Sequence, residues 1–327
     1  MELGHARGAK RNSQTSPPGA LPEGSPAAYS KRKMSGSINT GPSSSYVRRR
    51  LLRKLKSNFM VGLTVLATVL ALVPLFLVLG YLLSKGASSV NWNFFTRMPA
   101  PVGQPGGGMA NAIIGTFELV AVAIMMGVPV GIGAGIYIAE NPAGWLARAA
   151  RFAADIMMGI PSIVIGIFVY AVVVAPANGF STLAGATALA IIMAPLVTRT
   201  TEEMILLVPA ELREAALALG VPRWRTTLSV VARAAASGIA TGVILAIARI
   251  AGETAPLLFT AFGNRFWSTA LTQPIASLTV QVYTYAISPF ADWQRQAWAG
   301  ALVLTAIVLV LEVSVRWITR GPARVVR

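Results

Sequence analysis

Six long apolar segments are the feature of this sequence that most restricts its fold. A helix of about 20 apolar residues crosses the hydrocarbon core of a bilayer, whereas a buried strand is much shorter. The sequence therefore predicts an all-α, polytopic membrane protein with six transmembrane helices. The segments run approximately over residues 59–83, 110–139, 153–175, 183–207, 234–262 and 297–318.

Proline recurs inside these segments. A proline within a helix removes a backbone hydrogen bond and kinks the helix, so neighbouring helices or a cavity must satisfy the freed groups. A simple membrane anchor has little use for such kinks, and we expect a helix bundle with a path through it. The prolines are Pro74, Pro129, Pro161, Pro195 and Pro256.

The composition excludes several kinds of chemistry. Hydrophobic residues make up 54% of the chain and charged residues 12%, far below the roughly 25% charged residues of soluble domains. Cysteine is absent and the single histidine, His5, lies in a polar tail, which argues against disulfides, thiolate or histidine metal sites and a serine–histidine triad. The sequence contains no G-x-x-x-x-G-K-[ST] motif, so we expect any ATP to be bound by another subunit.

The net charge of +16 is concentrated in the first 57 residues. No aromatic-rich basic surface accompanies it, so we do not expect nucleic-acid binding. We predict a disordered basic cytoplasmic tail over 1–57, a membrane domain over 58–320 with a coupling loop at 208–233, and a second cytoplasmic tail over 321–327. The basic residues nearest the first span are expected to contact anionic lipid headgroups.

Basic residues also predict the orientation of the chain. If the N-terminal tail is inside, 23 of the 28 Lys and Arg residues fall on the inner side and four on the outer side. Cytoplasmic loops of membrane proteins carry such an excess, so both termini are predicted to be cytoplasmic.

A glycine stripe marks the second segment. Gly127, Gly131 and Gly135 follow one another at four-residue spacing and therefore lie on one helix face. Small residues at this spacing permit close helix contact, so we predict a packing role.

The inner loop 208–233 contains a predicted bend between two short helices. Residues 211–219 favour a helix whose apolar face consists of Leu212, Ala215, Ala216 and Leu219. Gly220 is a typical helix stop, and Pro222 suits the first turn of the next helix. A partly apolar helix beneath the membrane can fit the groove of a partner.

This loop carries a resemblance to a known family. Glu214-Ala215-Ala216-x-x-x-Gly220 resembles the EAA signature of ABC importer permeases, although the family's later Leu-Pro pair is Ala232-Arg233 here. The runs 106–116, 159–170 and 248–260, which include Gly252-Glu-Thr-Ala-Pro256, are similar to the PstA family of phosphate permeases.

The resemblance implies a type I ABC importer permease (MetI-like) core in the bacterial inner membrane, which carries inorganic phosphate inward. It implies docking of ATPase subunits of PstB type on Glu214, Ala215, Ala216, Gly220 and Pro222. The ATPases would bind ATP and Mg²⁺, and no cofactor is expected in this chain. The other implied partners are a second permease of PstC type and a phosphate-binding protein of PstS type.

Arg249 and Glu253 are candidate substrate-path residues in the fifth segment. Four-residue spacing would place them on one helix face, and charges within a membrane generally face a cavity or a partner. A guanidinium can bind phosphate oxygens bidentately, and Glu253 could hold Arg249 when the path is empty. The resemblance places Arg249, Glu253 and Thr254 on the path. A purely structural ion pair is the alternative.

Other acids leave further alternatives open. Asp155 is expected to pair with Arg148 or Arg151, and Arg199 with Glu202 or Glu203 in a solvated end cap. Glu118 or Glu253 could instead serve as the proton relay of a secondary transporter. A permease for phosphonate, sulfate or molybdate is the remaining alternative, and a further role in phosphate signalling stays open.

Overall fold

The computed structural model describes residues 44–102, 104 and 106–319. It divides into two units between Leu66 and Ala67, a boundary inside the first helix. In the first unit the described residues, 44–66, are helical. The second unit holds the helix bundle, and within the described residues it forms one isolated bridge, Pro99 to Gly107, and no strand. The predicted tails lie outside the described residues over 1–43 and 321–327.

Most of the long helices coincide with the predicted apolar segments. Among the described residues, five helices are long and apolar enough to cross a membrane, and a bent helix pair would make a sixth crossing. The helices of the first half are α1 (Ser44–Gly86), α2 (Trp92–Thr96), α3 (Ala110–Glu140), α4 (Trp145–Gly159), α5 (Ser162–Val169) and α6 (Thr182–Leu206). Those of the second half are α7 (Ala210–Ala218), α8 (Arg223–Arg225), α9 (Ala232–Ala251), α10 (Ala255–Thr260), α11 (Leu278–Ala286) and α12 (Ala291–Thr319).

The predicted disordered tail is too long, because α1 already begins at Ser44. Residues 44–57 are rich in Leu, Arg and Lys, which favour helix, and they extend the apolar segment without a break. The second helix of the inner loop, which follows the bend at Gly220, is also longer than predicted. α8 continues through π-helical turns at Thr226–Val231 into α9, so a single span runs from Arg223 to Ala251.

Two predicted spans are broken at prolines. α4 and α5 meet at an angle of 106° across Ile160 and Pro161, so the segment 153–175 is not one straight helix. The fifth segment breaks after Ala251, and Pro256 lies in the first turn of the short helix α10. Of the five prolines, Pro74, Pro129 and Pro195 lie in the interior of a helix.

Helix α6 lies at the centre of the bundle, since 67% of its most apolar stretch is buried, against 28% for that of α3. Gly127, Gly131 and Gly135 of α3 are buried against it. A Cβ added at Gly131 would lie 2.7 Å from the Cβ of Val197, and one at Gly135 would lie 2.6 Å from the carbonyl oxygen of Thr198. The absent side chains therefore set the distance between the two helices.

Four charged side chains join α4 to α6. The carboxylate of Glu202, with only 3% of its side chain exposed, accepts from Arg151 at 2.6 Å and from Arg199 at 2.6 Å. Arg199 also contacts Asp155 at 3.0 Å. The predicted pairing of Asp155 with Arg148 or Arg151 was therefore wrong. The predicted pair of Arg199 with Glu202 is confirmed, but Glu202 is buried and the pair is not a solvated end cap. Both predictions considered neighbours in sequence, whereas the packing of α4 on α6 brings residues about 50 positions apart into contact.

We refer to the two ends of the bundle by the elements that lie there. The α7 end holds the last residues of α3 and α6 and the start of the Arg223–Ala251 span, because Arg213 of α7 contacts Glu140 and the carbonyl of Ile205. The α11 end holds the first residues of α3, because the backbone amide of Leu278 donates to the hydroxyl of Thr116 at 2.8 Å.

Substitution of Gly131 by Val should destabilise the protein by about 1–3 kcal/mol through overpacking against α6. Gly133→Val is the matched control, because nothing lies within 4 Å of a Cβ at that position of the same helix. Thermal unfolding of both variants in detergent measures the difference. Equal melting temperatures for the two would contradict the packing role of the stripe.

Substitution of Glu202 by Gln should destabilise the fold by roughly 3 kcal/mol, because two arginines lose their shared counter-charge in a mostly buried position. The neighbouring Glu203 is exposed, and Glu203→Gln should change stability by less than about 0.5 kcal/mol. Denaturant titration of the purified variants compares them. A Glu202→Gln protein as stable as the control would show that the network does not hold α4 on α6.

Candidate functional site

Arg249 lies in the last turn of α9, and its side chain is exposed in the isolated chain. It borders a small cavity of about 60 Å³ at the bend between α4 and α5. Apart from Arg249, one hydroxyl and apolar side chains line this cavity, namely Met157, Met158, Ile160, Ser162, Ile165, Ile192 and Leu196.

The neighbours of this cavity place Arg249 beside the middle of helix α6. Ile192 and Leu196 lie 10 and 14 residues after the first residue of α6, a helix of 25 residues. With a rise of about 1.5 Å per residue, these positions are roughly 15–21 Å from the start of a helix long enough to cross the bilayer core. Arg249 therefore lies beside the middle of α6, about 15 Å or more from either end of that helix.

Within the described part of the chain, no ion pair or hydrogen bond reaches the guanidinium of Arg249 from an acidic side chain. Its position near the carbonyl end of α9 favours a positive charge through the helix dipole. The arrangement can hold an anion, since the guanidinium donors are not occupied by a carboxylate.

The predicted pairing of Glu253 with Arg249 was wrong for this conformation. α9 ends at Ala251, so Glu253 lies beyond the helix and the four-residue rule no longer applies. The backbone carbonyl of Glu253 instead accepts a hydrogen bond of 3.0 Å from the hydroxyl of Thr279, which fastens the break to α11. Glu253 and Thr254 are both partly buried, and Thr254 precedes α10 as its N-cap residue.

Helix α7 carries the EAA-like residues at the other end of the bundle. It ends in a Schellman motif: the amide of Gly220 donates to the carbonyl of Leu217, and that of Val221 to the carbonyl of Ala216. Gly220 has a φ of +79°, which a side chain would disfavour, although open space surrounds its Cα. Pro222 is the N-cap of α8 instead of a residue of its first turn.

Most of the predicted apolar face of α7 is uncovered. Ala216 is buried, whereas Leu212, Ala215 and Leu219 are exposed, Leu219 to 85%. Glu214 is exposed beside them. A cluster of apolar side chains in contact with solvent at the tip of a loop is typical of a docking surface.

Arg213 connects α7 to the rest of the bundle, and the sequence analysis did not identify it. Its guanidinium contacts the carboxylate of Glu140 at the end of α3 and the carbonyl of Ile205 near the end of α6, at 3.3 Å. Glu140 lies 73 residues earlier in the chain, so no local pattern could have indicated this pair.

Comparison with known proteins finds a matching family and similar permeases. Residues 131–324 match the family described as binding-protein-dependent transport system inner membrane component. The chain is 48% identical over 270 residues to the phosphate transport system permease protein PstA of Yersinia pestis, which covers 82% of this chain and 92% of the relative.

Solved structures share the fold at low sequence identity. A bacterial alginate ABC transporter in complex with a pentasaccharide-bound periplasmic protein has a chain with a TM-score of 0.60 at 14% identity, over 83% of this chain and 97% of that one. A chain of the inward-facing MetNI methionine ABC transporter has a TM-score of 0.53 at 18% identity, over 65% of this chain and 96% of that one.

From the matching family and the similar relatives, the chain belongs to the family of inner membrane components of binding-protein-dependent transport systems, and within it to the PstA group of permeases.

Proposed function

We propose that this chain carries inorganic phosphate across the inner membrane as one permease subunit of an ABC importer. The observation that carries the proposal is the guanidinium of Arg249, which is exposed at mid-membrane depth without an acidic partner among the described residues. The relatives named as phosphate transport permeases support phosphate as the cargo.

Phosphate suits this arginine because the planar guanidinium can offer two parallel donors to two phosphate oxygens. An anion that leaves water for the middle of a bilayer loses its hydration, and a fixed positive charge offsets part of that loss. Since Glu253 does not neutralise Arg249 in this conformation, the charge remains available to the anion.

The exposure of Arg249 indicates a partner within the membrane. A charged side chain that faced lipid at this depth would cost about 2.5–3.5 kcal/mol on insertion scales. A second permease of PstC type would supply the opposite wall of the path and separate Arg249 from lipid.

The exposed face of α7 suits an ATPase subunit of PstB type. The sequence contains no P-loop motif of its own, so ATP and Mg²⁺ would be bound by that partner. Closure of the ATPases would move α7, and the contacts of Arg213 with α3 and α6 would pass this motion to the helices around Arg249.

The orientation follows from the charges at the two ends. Arg148, Arg151, Arg213, Arg223 and Arg225 all fall on the side of α7, which favours a cytoplasmic location for this end and for both termini. The α11 end would then face a phosphate-binding protein of PstS type.

Substitution of Arg249 by Gln should leave an inserted, assembled complex that takes up phosphate about a hundredfold more slowly. Loss of a bidentate, charge-assisted pair removes roughly 3 kcal/mol of anion stabilisation. Uptake of radiolabelled phosphate by cells or proteoliposomes measures the effect. Arg233→Gln removes an exposed arginine from the same helix and should leave uptake near the wild-type rate.

Near-normal uptake by the Arg249→Gln complex would contradict the assignment of the path. Stimulation of ATP hydrolysis by sulfate but not by phosphate, with the matching binding protein present, would contradict the cargo. ATP-independent uptake that collapses with an uncoupler would contradict the ABC mechanism.

Reversal of either charge in the Glu140–Arg213 pair should raise the number of ATP molecules hydrolysed per phosphate severalfold, because α7 would move without its contact to α3. The variants are Glu140→Arg and Arg213→Glu, and the double swap should restore much of the coupling, since contacting residues are energetically non-additive. Parallel assays of uptake and ATP hydrolysis in proteoliposomes provide the ratio. A double swap that is as uncoupled as the single variants would argue against the pair.

A further inference from the structure

A second cavity of about 220 Å³ opens at the α11 end of the bundle. It shares none of the described residues that line the cavity beside Arg249. Its size is below the range of about 300–1,000 Å³ typical of drug-sized ligands, which favours a small ligand or a single headgroup. Its polar and aromatic lining includes Phe262, Arg265, Ser277, Gln281, Thr284 and Tyr285.

The cavity has a positive charge and no opposing charge among its lining residues, which are all within the described range. Arg265 is exposed, and in the part of the chain that the structure describes no carboxylate forms an ion pair with it. Its guanidinium lies over the ring of Trp293, 4.9 Å from the centroid. An arginine stacked on an aromatic ring keeps its planar N–H edge free for other acceptors.

Tyr285 supplies a second donor that has no acceptor. The Tyr285 residue is only 3% exposed. Its ring stacks on Trp293, the same residue that Arg265 contacts, with ring centroids 4.5 Å apart. Among the described residues, no partner meets strict hydrogen-bond geometry with its buried hydroxyl. Gln281 acts on the hydroxyl oxygen as a donor, which leaves the O–H group without an acceptor. A buried donor without an acceptor is destabilising, so an acceptor in the cavity would be stabilising.

The hydroxyl of Tyr285 remains protonated at neutral pH. Burial raises its pKa above the ordinary value for tyrosine, while Gln281 and the charge of Arg265 act in the opposite direction and do not cancel the shift. The hydroxyl is therefore available as a donor, next to a permanent positive charge.

The loop that carries Arg265 is held in place before any ligand binds. Phe262 adopts a φ of +61°, which is rare for a bulky residue, and Gly263 follows with a φ of +152°. The side chain of Asn264 donates to the carbonyl of Pro274 at 3.2 Å, and Asn111 donates to the carbonyl of Asn264 at 2.8 Å. Such strain persists only where the surroundings impose it, and it positions Arg265 at the cavity.

We propose that this cavity binds a tetrahedral phosphate group between the guanidinium of Arg265 and the hydroxyl of Tyr285. The group is either inorganic phosphate on its way to Arg249 or the headgroup of a phospholipid. We expect inorganic phosphate to be the ligand, and this expectation rests on the proposed function. It would give the anion a site at the α11 end before it loses its hydration inside the bilayer.

The test uses the assembled importer, purified in detergent, with Arg249→Gln in every sample so that the mid-membrane site of this chain is removed. Equilibrium binding of radiolabelled inorganic phosphate is compared between this background and the added substitutions Arg265→Gln and Tyr285→Phe. We expect each to weaken binding about tenfold or more, as for loss of a hydrogen bond to a charged group.

The matched controls are Arg295→Gln and Tyr283→Phe. Arg295 is an exposed arginine at the same end of the bundle that pairs with Asp292, and Tyr283 is an exposed tyrosine of the same helix as Tyr285. Neither control should change phosphate binding. Tyr285→Phe keeps the ring and its stacking, so a purely structural tyrosine would show no loss.

Phospholipid that co-purifies with each complex is measured in parallel by mass spectrometry. Phospholipid retained by the background complex and lost with Arg265→Gln supports the site and assigns the source to lipid, whereas loss of inorganic phosphate assigns it to the transported anion. If neither ligand responds to Arg265→Gln or to Tyr285→Phe, the proposal is overturned.

Uptake assays separate this proposal from the proposed function. If complexes with Arg249→Gln import phosphate normally, the function assigned to Arg249 fails whatever the binding data show. If the wild-type complex imports phosphate, Arg249→Gln does not, and the substitutions at Arg265 and Tyr285 leave binding of both ligands unchanged, the cavity proposal fails alone.

Discussion

The placement of Arg249 beside the middle of the long apolar helix α6, without an acidic partner among the described residues, is the constraint on which the rest of this structure depends. Arg249 has this position because α9 extends far into the membrane before it ends at Ala251. Such a charge is tolerated only beside a cavity, a partner or an anion. Arg249 lies on an exposed part of α9 and borders the small cavity at the bend between α4 and α5.

Two helix breaks lie near Arg249 in the structure. α4 and α5 meet at Ile160 and Pro161, and α9 and α10 are separated by Gly252, Glu253 and Thr254. Backbone that leaves the helical pattern inside a membrane must line a cavity or bond to protein, and the hydroxyl of Thr279 bonds to the carbonyl of Glu253. The carbonyl of Glu253, in the break after α9, is therefore bonded to protein instead of left to lipid.

The remaining packing connects this region to α7, the helix with the exposed apolar face. The glycine stripe of α3 lies directly against α6, and Glu202 binds Arg151 of α4 and Arg199 of its own helix. Arg213 joins α7 to the ends of α3 and α6. A force applied to α7 would consequently move a packed unit that includes the wall of the Arg249 cavity, because close-packed helices transmit displacement instead of absorbing it.

The sequence by itself determined the membrane class, the number and approximate place of the apolar segments, the glycine stripe, the bend at Gly220 and the candidate arginine. These features depend on patterns that repeat within one or two helical turns. Only the tertiary structure decided that Asp155 pairs with Arg199, that Arg213 pairs with Glu140, and that the break after Ala251 separates Glu253 from Arg249. In a bilayer most apolar helix faces are equally compatible with lipid, so local pattern does not specify which helices meet, and charged partners far apart in sequence are identified only once the helices are packed.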